Sequence, residues 1–249
     1  MVLILPLNLR LTNQKKTKKN NDTIWLGGVV PHHLVAEGMI TEFLEILCES
    51  QVKKIYVIGP NHKEIGGANL ISDQKFIEKV KIDTEVVLKE HAVAGLKPIL
   101  QQKCKKAEII PIIVSAKTNK EEIKTLTTFL AKEVIEGAKL LGSIDFSHEL
   151  TLAEAGLRDI KTWEIISNKR YGELWGLTDE YLDSPKSLII IMQSFDEIGK
   201  YEIKILAKSN SELILKENGL RSTTSYMNIG FMAPNPRADT FQPNFPSFL

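Results

Sequence analysis

His32, His62, His91 and His148 each follow a short apolar run, and His33 stands beside the first of them. Trp25–Val30 leads to Pro31-His32-His33, and Ile55–Gly59 leads to Pro60-Asn61-His62. Val86–Leu88 precedes Glu90-His91, and Leu140–Ile144 precedes Asp145-Phe146-Ser147-His148. The sequence has 5 histidines, so none is left over for another use. Imidazole is the commonest metal-binding side chain, and two imidazoles with one carboxylate form the facial set typical of non-haem Fe(II). The raw materials for such a site are the five histidines with Glu90 and Asp145. Other chemistry has less support. Ser147 beside His148 is not a nucleophile–base pair by adjacency, and no G-x-S-x-G elbow occurs. Neither Cys48 nor Cys104 has a histidine nearby to activate a thiolate.

To bring these side chains together, the apolar runs must be strands of one sheet. In open α/β sheets, ligands bind outside the carboxyl ends of the strands, where loops gather residues far apart in sequence. Proline at 31 and 60 would end a strand and fix the direction of the histidine after it. The spacing predicts strands over Ile24–Val30, Lys54–Ile58, Ile109–Val114 and Lys139–Ile144, with further strands over Ala68–Ser72, Tyr201–Ala207 and Thr224–Met232. Helices are expected near Val35–Glu49, Ala92–Gln102, Asn119–Glu136, Leu152–Asn168 and Ser184–Ile198. Thr118 reads as a cap for the third of these, and Ser184 with Pro185 as the start of the last. Gly66-Gly67 marks a turn after His62. The hydroxyl-rich run Arg221–Tyr226 leads into the last strand.

Alternating strands and helices define an α/β fold, expected as a three-layer α/β/α sandwich around a mostly parallel or mixed sheet. The 249 residues suit one domain, with a loose arm at about 10–22, where Lys15, Lys16, Lys18 and Lys19 fall, and an extended proline-rich tail at about 233–249. A net charge of +1 argues against a nucleic-acid footprint or attraction to an acidic membrane. Met1–Leu9 is too short for a membrane span and lacks the basic start of an export signal. The two cysteines spell no metal or redox motif, and a reducing, cytoplasmic compartment is expected.

In order along the chain, these motifs resemble the Memo family, which includes the proteins called AmmeMemoRadiSam system protein B. The matching segments are Val30-Pro31-His32, Ile58-Gly59-Pro60-Asn61-His62, Glu90-His91, Pro98, Ile110–Val114, Asp145-Phe146-Ser147-His148 and Ser225-Tyr226, spread over nearly the whole chain. The resemblance implies a fold akin to class III extradiol dioxygenases, with a metal site at the sheet's edge. It implies His32 and His62 as metal-binding histidines. It places Asp145 beside them as a further ligand, and Asp145, His91 and His148 as catalytic groups. His33 falls where many relatives have alanine. Two departures stand out: Ala94 and Leu96 occupy the places of a second glutamate and histidine, and the cysteine that completes the site in animal relatives has no counterpart in Leu215–Gly219.

The function expected from this resemblance is a metal-dependent, non-haem-iron-type oxidoreductase, with iron, zinc or copper as the ion. Two alternatives use the same cleft. One is a non-catalytic protein that binds a small molecule or peptide and works with AMMECR1-like and radical SAM proteins. The other is a hydrolase in which the ion activates water.

Overall fold

The computed structural model describes residues 23–49, 51–216 and 222–235. The expected arm at 10–22 and most of the expected tail lie outside the described residues; the first residues assigned to the tail, Ala233 and Pro234, instead close the last strand. In chain order the first elements are β1 (Thr23–Val30), a 3-10 turn (Leu34–Ala36), α1 (Glu37–Leu47), β2 (Lys54–Pro60), β3 (Leu70–Ser72) and β4 (Lys81–Ile82). Then come α2 (Thr84–Lys89), α3 (His91–Ala94), α4 (Lys97–Lys103), β5 (Glu108–Val114), α5 (Lys120–Ile135) and β6 (Lys139–Ser143). The chain continues through α6 (Leu152–Ser167), α7 (Tyr171–Trp175), α8 (Pro185–Ile198), β7 (Glu202–Asn210), α9 (Ser211–Leu215) and β8 (Ser225–Pro234).

The strands form one 8-stranded mixed sheet in the order β4-β3-β5-β2-β6-β1-β8-β7. Its centre, β5-β2-β6-β1, is parallel throughout, so these four strands end at the same edge. β8 runs antiparallel to β1 and therefore begins at that edge. Alternate residues of the central strands serve two separate cores, as the period of a strand requires. Tyr56, Ile58, Ile112 and Leu140 pack with α5, α6 and α8 on one face. Ile55, Val57, Ile113 and Leu141 pack with α1 to α4 on the other. The α/β/α sandwich expected from the alternation is thus the observed architecture.

Local chemistry explains the helices. In α1 the buried residues Ile40, Phe43, Leu44 and Leu47 recur at helical spacing and form one apolar stripe. The cap of α5 is Asn119 rather than Thr118: its side chain accepts from the Glu122 N–H while Glu122 reaches back to the cap. Thr118 instead donates its hydroxyl to the Ser115 carbonyl at 2.7 Å, which leaves Asn119 at the helix start. Val86–Leu88, read above as a strand, lies in α2. Asp83 accepts from the Val86 N–H at 3.2 Å and so starts a helix in a segment whose β-branched residues favour extension. Gly66 and Gly67 adopt φ of +92° and +65°, which confirms the turn after His62.

Cys48, after α1, is joined to Cys104, after α4, by a disulfide with a Cα–Cα distance of 5.4 Å. The sequence reading missed this pair, because a separation of 56 positions hides it. Such bonds persist in oxidising surroundings or in intracellular proteins of hyperthermophiles, in contrast to the reducing compartment expected from the cysteine count. Among the described residues no helix is long and apolar enough to cross a membrane.

Candidate metal centre

β1 and β2 are not adjacent, contrary to the simplest expectation for the strands that carry His32 and His62; β6 lies between them. The insertion places Asp145, just past β6, between the two histidine-bearing loops. There its carboxylate accepts the His32 N–H at 3.0 Å, locking the exit of β1 to that of β6. Ser143 donates its hydroxyl to the Ala92 carbonyl, which draws α3, and His91 with it, to the same edge.

His32 is the centre of the cluster. Its ring centroid lies 5.0 Å from that of His62, 5.1 Å from His91 and 5.4 Å from His33. His62 and His91 stack at 4.2 Å. One ring nitrogen from each of His32, His62 and His91 falls within 4.8 Å of the other two, and the same holds for donor atoms of His32, His33 and Asp145. His148 sits further out, 6.3 Å from His33, with Nδ1 donating to the Asp179 carbonyl at 3.2 Å. All the histidines singled out from the sequence therefore converge, although His91 arrives from a helix.

Glu90 orients part of this set. Its carboxylate accepts from His62 Nδ1 at 2.7 Å and from the His62 N–H at 3.0 Å, and it lies 3.3 Å from His91 Nδ1. With Nδ1 so engaged, Nε2 is the His62 nitrogen that faces Asp183 and is left for an ion to take in place of its proton, the arrangement by which carboxylates orient metal-binding histidines. Burial disfavours a charged His62, yet the hydrogen bonds and charges of Asp183 and Glu90 outweigh it and raise the pKa to about 9. His33 is raised by the Asp145 carboxylate, 2.9 Å from its Nδ1, against the opposing effect of burial. His91 is lowered by burial and by the charge of the neighbouring His62 and His32. Tyr226, at the start of β8, brings its hydroxyl to 3.4 Å from His33 Nδ1. Burial and the charge of Asp145 push that phenol up to about 12.

Asp183 was not foreseen. Leu182 forms an antiparallel bridge with Phe146, and the Asp183 N–H donates to the Asp145 carbonyl at 3.1 Å. The Asp145 N–H in turn donates to Asp183 Oδ2 at 3.2 Å. That oxygen is 3.4 Å from His32 Nε2 and 3.6 Å from His62 Nε2. Asp145 Oδ2 is 3.6 Å from His32 Nε2 but makes no ion pair with His62. Asp183 has no histidine beside it in sequence. Its only local signal is its place directly before Ser184-Pro185 at a helix start.

The residues fit a divalent ion. Nitrogen and oxygen ligands at about 2.0–2.2 Å from a common ion lie roughly 3.0–3.5 Å from one another, close to the Asp183–histidine separations. His32 is 3% exposed, and neither of its ring nitrogens has a hydrogen-bond partner. Asp183 Oδ1 is buried without one as well, while Asp145 Oδ2 lies against His33 Nδ1 at 2.9 Å. Buried polar atoms are nearly always paired, so a group of unpaired donor atoms facing one another is the mark of a ligand site. No family model matches this chain, and no curated protein matches it.

Proposed function

We propose that the cleft holds a divalent metal ion on His32, His62 and a carboxylate, and that the chain is a Memo-like protein acting as a non-haem-iron-type oxidoreductase. Asp145 is the carboxylate implied by the family resemblance; Asp183 is the one within ion-pair distance of both histidines. The observation that carries the reading is His32, buried at the centre of the cluster with neither ring nitrogen hydrogen-bonded and Nε2 facing two carboxylates. Imidazole with carboxylate suits iron, zinc or copper, and an ion so held would supply a Lewis acid with open coordination positions.

The remaining groups have separable tasks. Glu90 holds the His62 tautomer through Nδ1. His148 commits Nδ1 to the Asp179 carbonyl, which leaves its Nε2 to accept a proton from a ligand in the cleft. His91, with Nδ1 towards Glu90 and its ring stacked on His62, offers Nε2 in the same way. Asp145 ties the two central loops together and sits against His33.

A second reading, a non-catalytic binding protein in the cytoplasm beside AMMECR1-like and radical SAM proteins, draws on one feature of α3 and α4. Leu96 is wholly buried in the core and Ala94 carries no polar group, so this segment contributes little beyond His91 to the cleft. Metal analysis of protein purified without chelators or a histidine tag tests the shared premise. About one divalent ion per chain is expected, and its absence after anaerobic iron reconstitution removes the metal reading. Oxygen uptake by the iron-loaded protein across a substrate panel separates the oxidoreductase from the binding protein.

A further inference from the structure

Two hollows open beside the histidines. The first, of about 310 Å³, has an apolar wall of Val114, Trp175, Leu177 and Pro185. The second, of about 350 Å³, is lined by His148, Glu149, Leu150 and Glu180. His62, Asp179 and Asp183 line both, so the two meet as one groove running past the candidate metal ligands.

The charges along this groove are unevenly spent. Of the two cations lining the first hollow, Lys186 donates to the carbonyls of Ala116 and Thr118, and His62 faces Glu90 and Asp183. Glu64 accepts from the Ser115 hydroxyl at 2.5 Å and the Ala116 N–H at 2.7 Å, and Glu180 pairs with Arg158 at 3.2 Å. Asp179 and Glu149 make no ion pair among the described residues. Asp183 supplies an independent sign of a ligand: its side chain is 6% exposed, and Oδ1 is buried without a partner while Oδ2 faces the histidines. An unpaired buried carboxylate oxygen is costly to maintain unless something supplies a donor.

We propose that the groove binds a primary alkylammonium group on an apolar stem. The ammonium is held by Asp179, Glu149 and the unpaired oxygen of Asp183, and the stem lies along Trp175, Leu177 and Pro185. Carboxylates outnumber cations along both hollows, which disfavours a carboxylate or phosphate ligand, whereas an ammonium offers three donors to the free oxygens of Asp179 and Glu149. The same chemistry is presented by a free alkylamine and by a lysine side chain. The inference names the ligand class of the cleft described above, but it does not require the metal ion.

Calorimetric titration of hexylamine, hexanoate and a blocked lysine tripeptide into the full chain, both zinc-loaded and EDTA-treated, tests it. Hexylamine or the tripeptide should bind at least about tenfold more tightly than hexanoate in both preparations, and the tighter of the two identifies the source. The exposed pair of substitutions Asp179→Asn and Glu149→Gln should weaken amine binding by about fivefold or more and leave zinc binding intact. Equal or tighter binding of hexanoate, an unchanged amine affinity in the double variant, or no amine binding at all overturns the proposal. Amine binding confined to the zinc-loaded protein also overturns it, because the amine is then a ligand of the ion. Zinc titration of the unsubstituted chain reports separately on the metal reading.

Discussion

Asp145 and Asp159 are equally buried, at 0% and 1% exposure, yet their surroundings drive their carboxyl groups in opposite directions. Burial acts to raise Asp145, but contact with His33, the charges of His32 and His33 and the His32 N–H overcome it, and its pKa is lowered. Burial raises Asp159 too, and there the charge and hydrogen bond of Lys208, with the hydroxyls of Ser225 and Ser147, only partly offset it. Ser147 Oγ lies 3.0 Å from both Asp159 Oδ1 and Ser225 Oγ, and Lys208 Nζ is 3.1 Å from Asp159 Oδ2. The Asp159 region is a closed polar network that uses its partners internally. The histidine region keeps buried atoms without hydrogen-bond partners, on both nitrogens of His32 and on Asp183 Oδ1. Burial alone does not distinguish a structural acid from a ligand site; what remains unpaired does.

The largest effect expected on this contrast comes from the disulfide. The loop it closes contains Glu90 and two of the five clustered histidines, His62 and His91, while Asp159 lies outside it. For a separation of 56 residues, reduction should cost about 4 kcal/mol of stability by the chain-entropy account. Hydrogen exchange should then quicken around β2 and α3 before it quickens around α6. A uniform change in exchange would show that the two regions share one cooperative unit.

His32→Gln comes next. It should lower metal affinity more than about 100-fold, since it removes the central ligand while keeping a polar side chain of similar reach. Metal titration with circular dichroism checks this, and undiminished affinity would make His32 a structural residue like those around Asp159. Asp183→Asn and Asp145→Asn should each lower affinity by roughly 10- to 100-fold with unchanged far-ultraviolet dichroism. A larger loss at Asp183 would identify it as the carboxylate shared by His32 and His62. A larger loss at Asp145 would favour the ligand that the family resemblance implies.

The smallest effect has the opposite sign. Because the folded pKa of Asp159 lies above its unfolded value, its ionisation near neutral pH costs stability. That cost is full above the folded pKa and vanishes as the pH falls below the unfolded value of about 3.9. Asp159→Asn should therefore stabilise the protein by about 1 kcal/mol at pH 7, with the gain shrinking towards pH 4. Urea unfolding at the two pH values measures it. A destabilised variant at pH 7 would mean that the ion pair with Lys208 outweighs the burial of the charge.

The sequence by itself determined the elements and their class. The continuous apolar runs of Lys54–Ile58 and Ile109–Val114, strands buried on both faces, and helical spacing in Ile40, Phe43, Leu44 and Leu47, are local consequences of which faces must leave water. It also determined that His32, His33, His62 and His148 stand past strand exits, because proline and the end of an apolar run are visible in one dimension, although the same reading failed for His91, which follows α2. Where local signals compete, as at Val86–Leu88, the Asp83 cap decided for a helix against β-branched composition. Only the tertiary structure decided that β6 runs between β1 and β2, and hence that Asp145 enters the cluster from the centre. It alone brought Asp183 in, through a backbone bridge to Phe146 that leaves no pattern in sequence, and it alone paired Cys48 with Cys104. The physical reason is common to all three: each depends on contacts between segments tens of residues apart, set by the packing of whole layers rather than by the preferences of neighbouring residues.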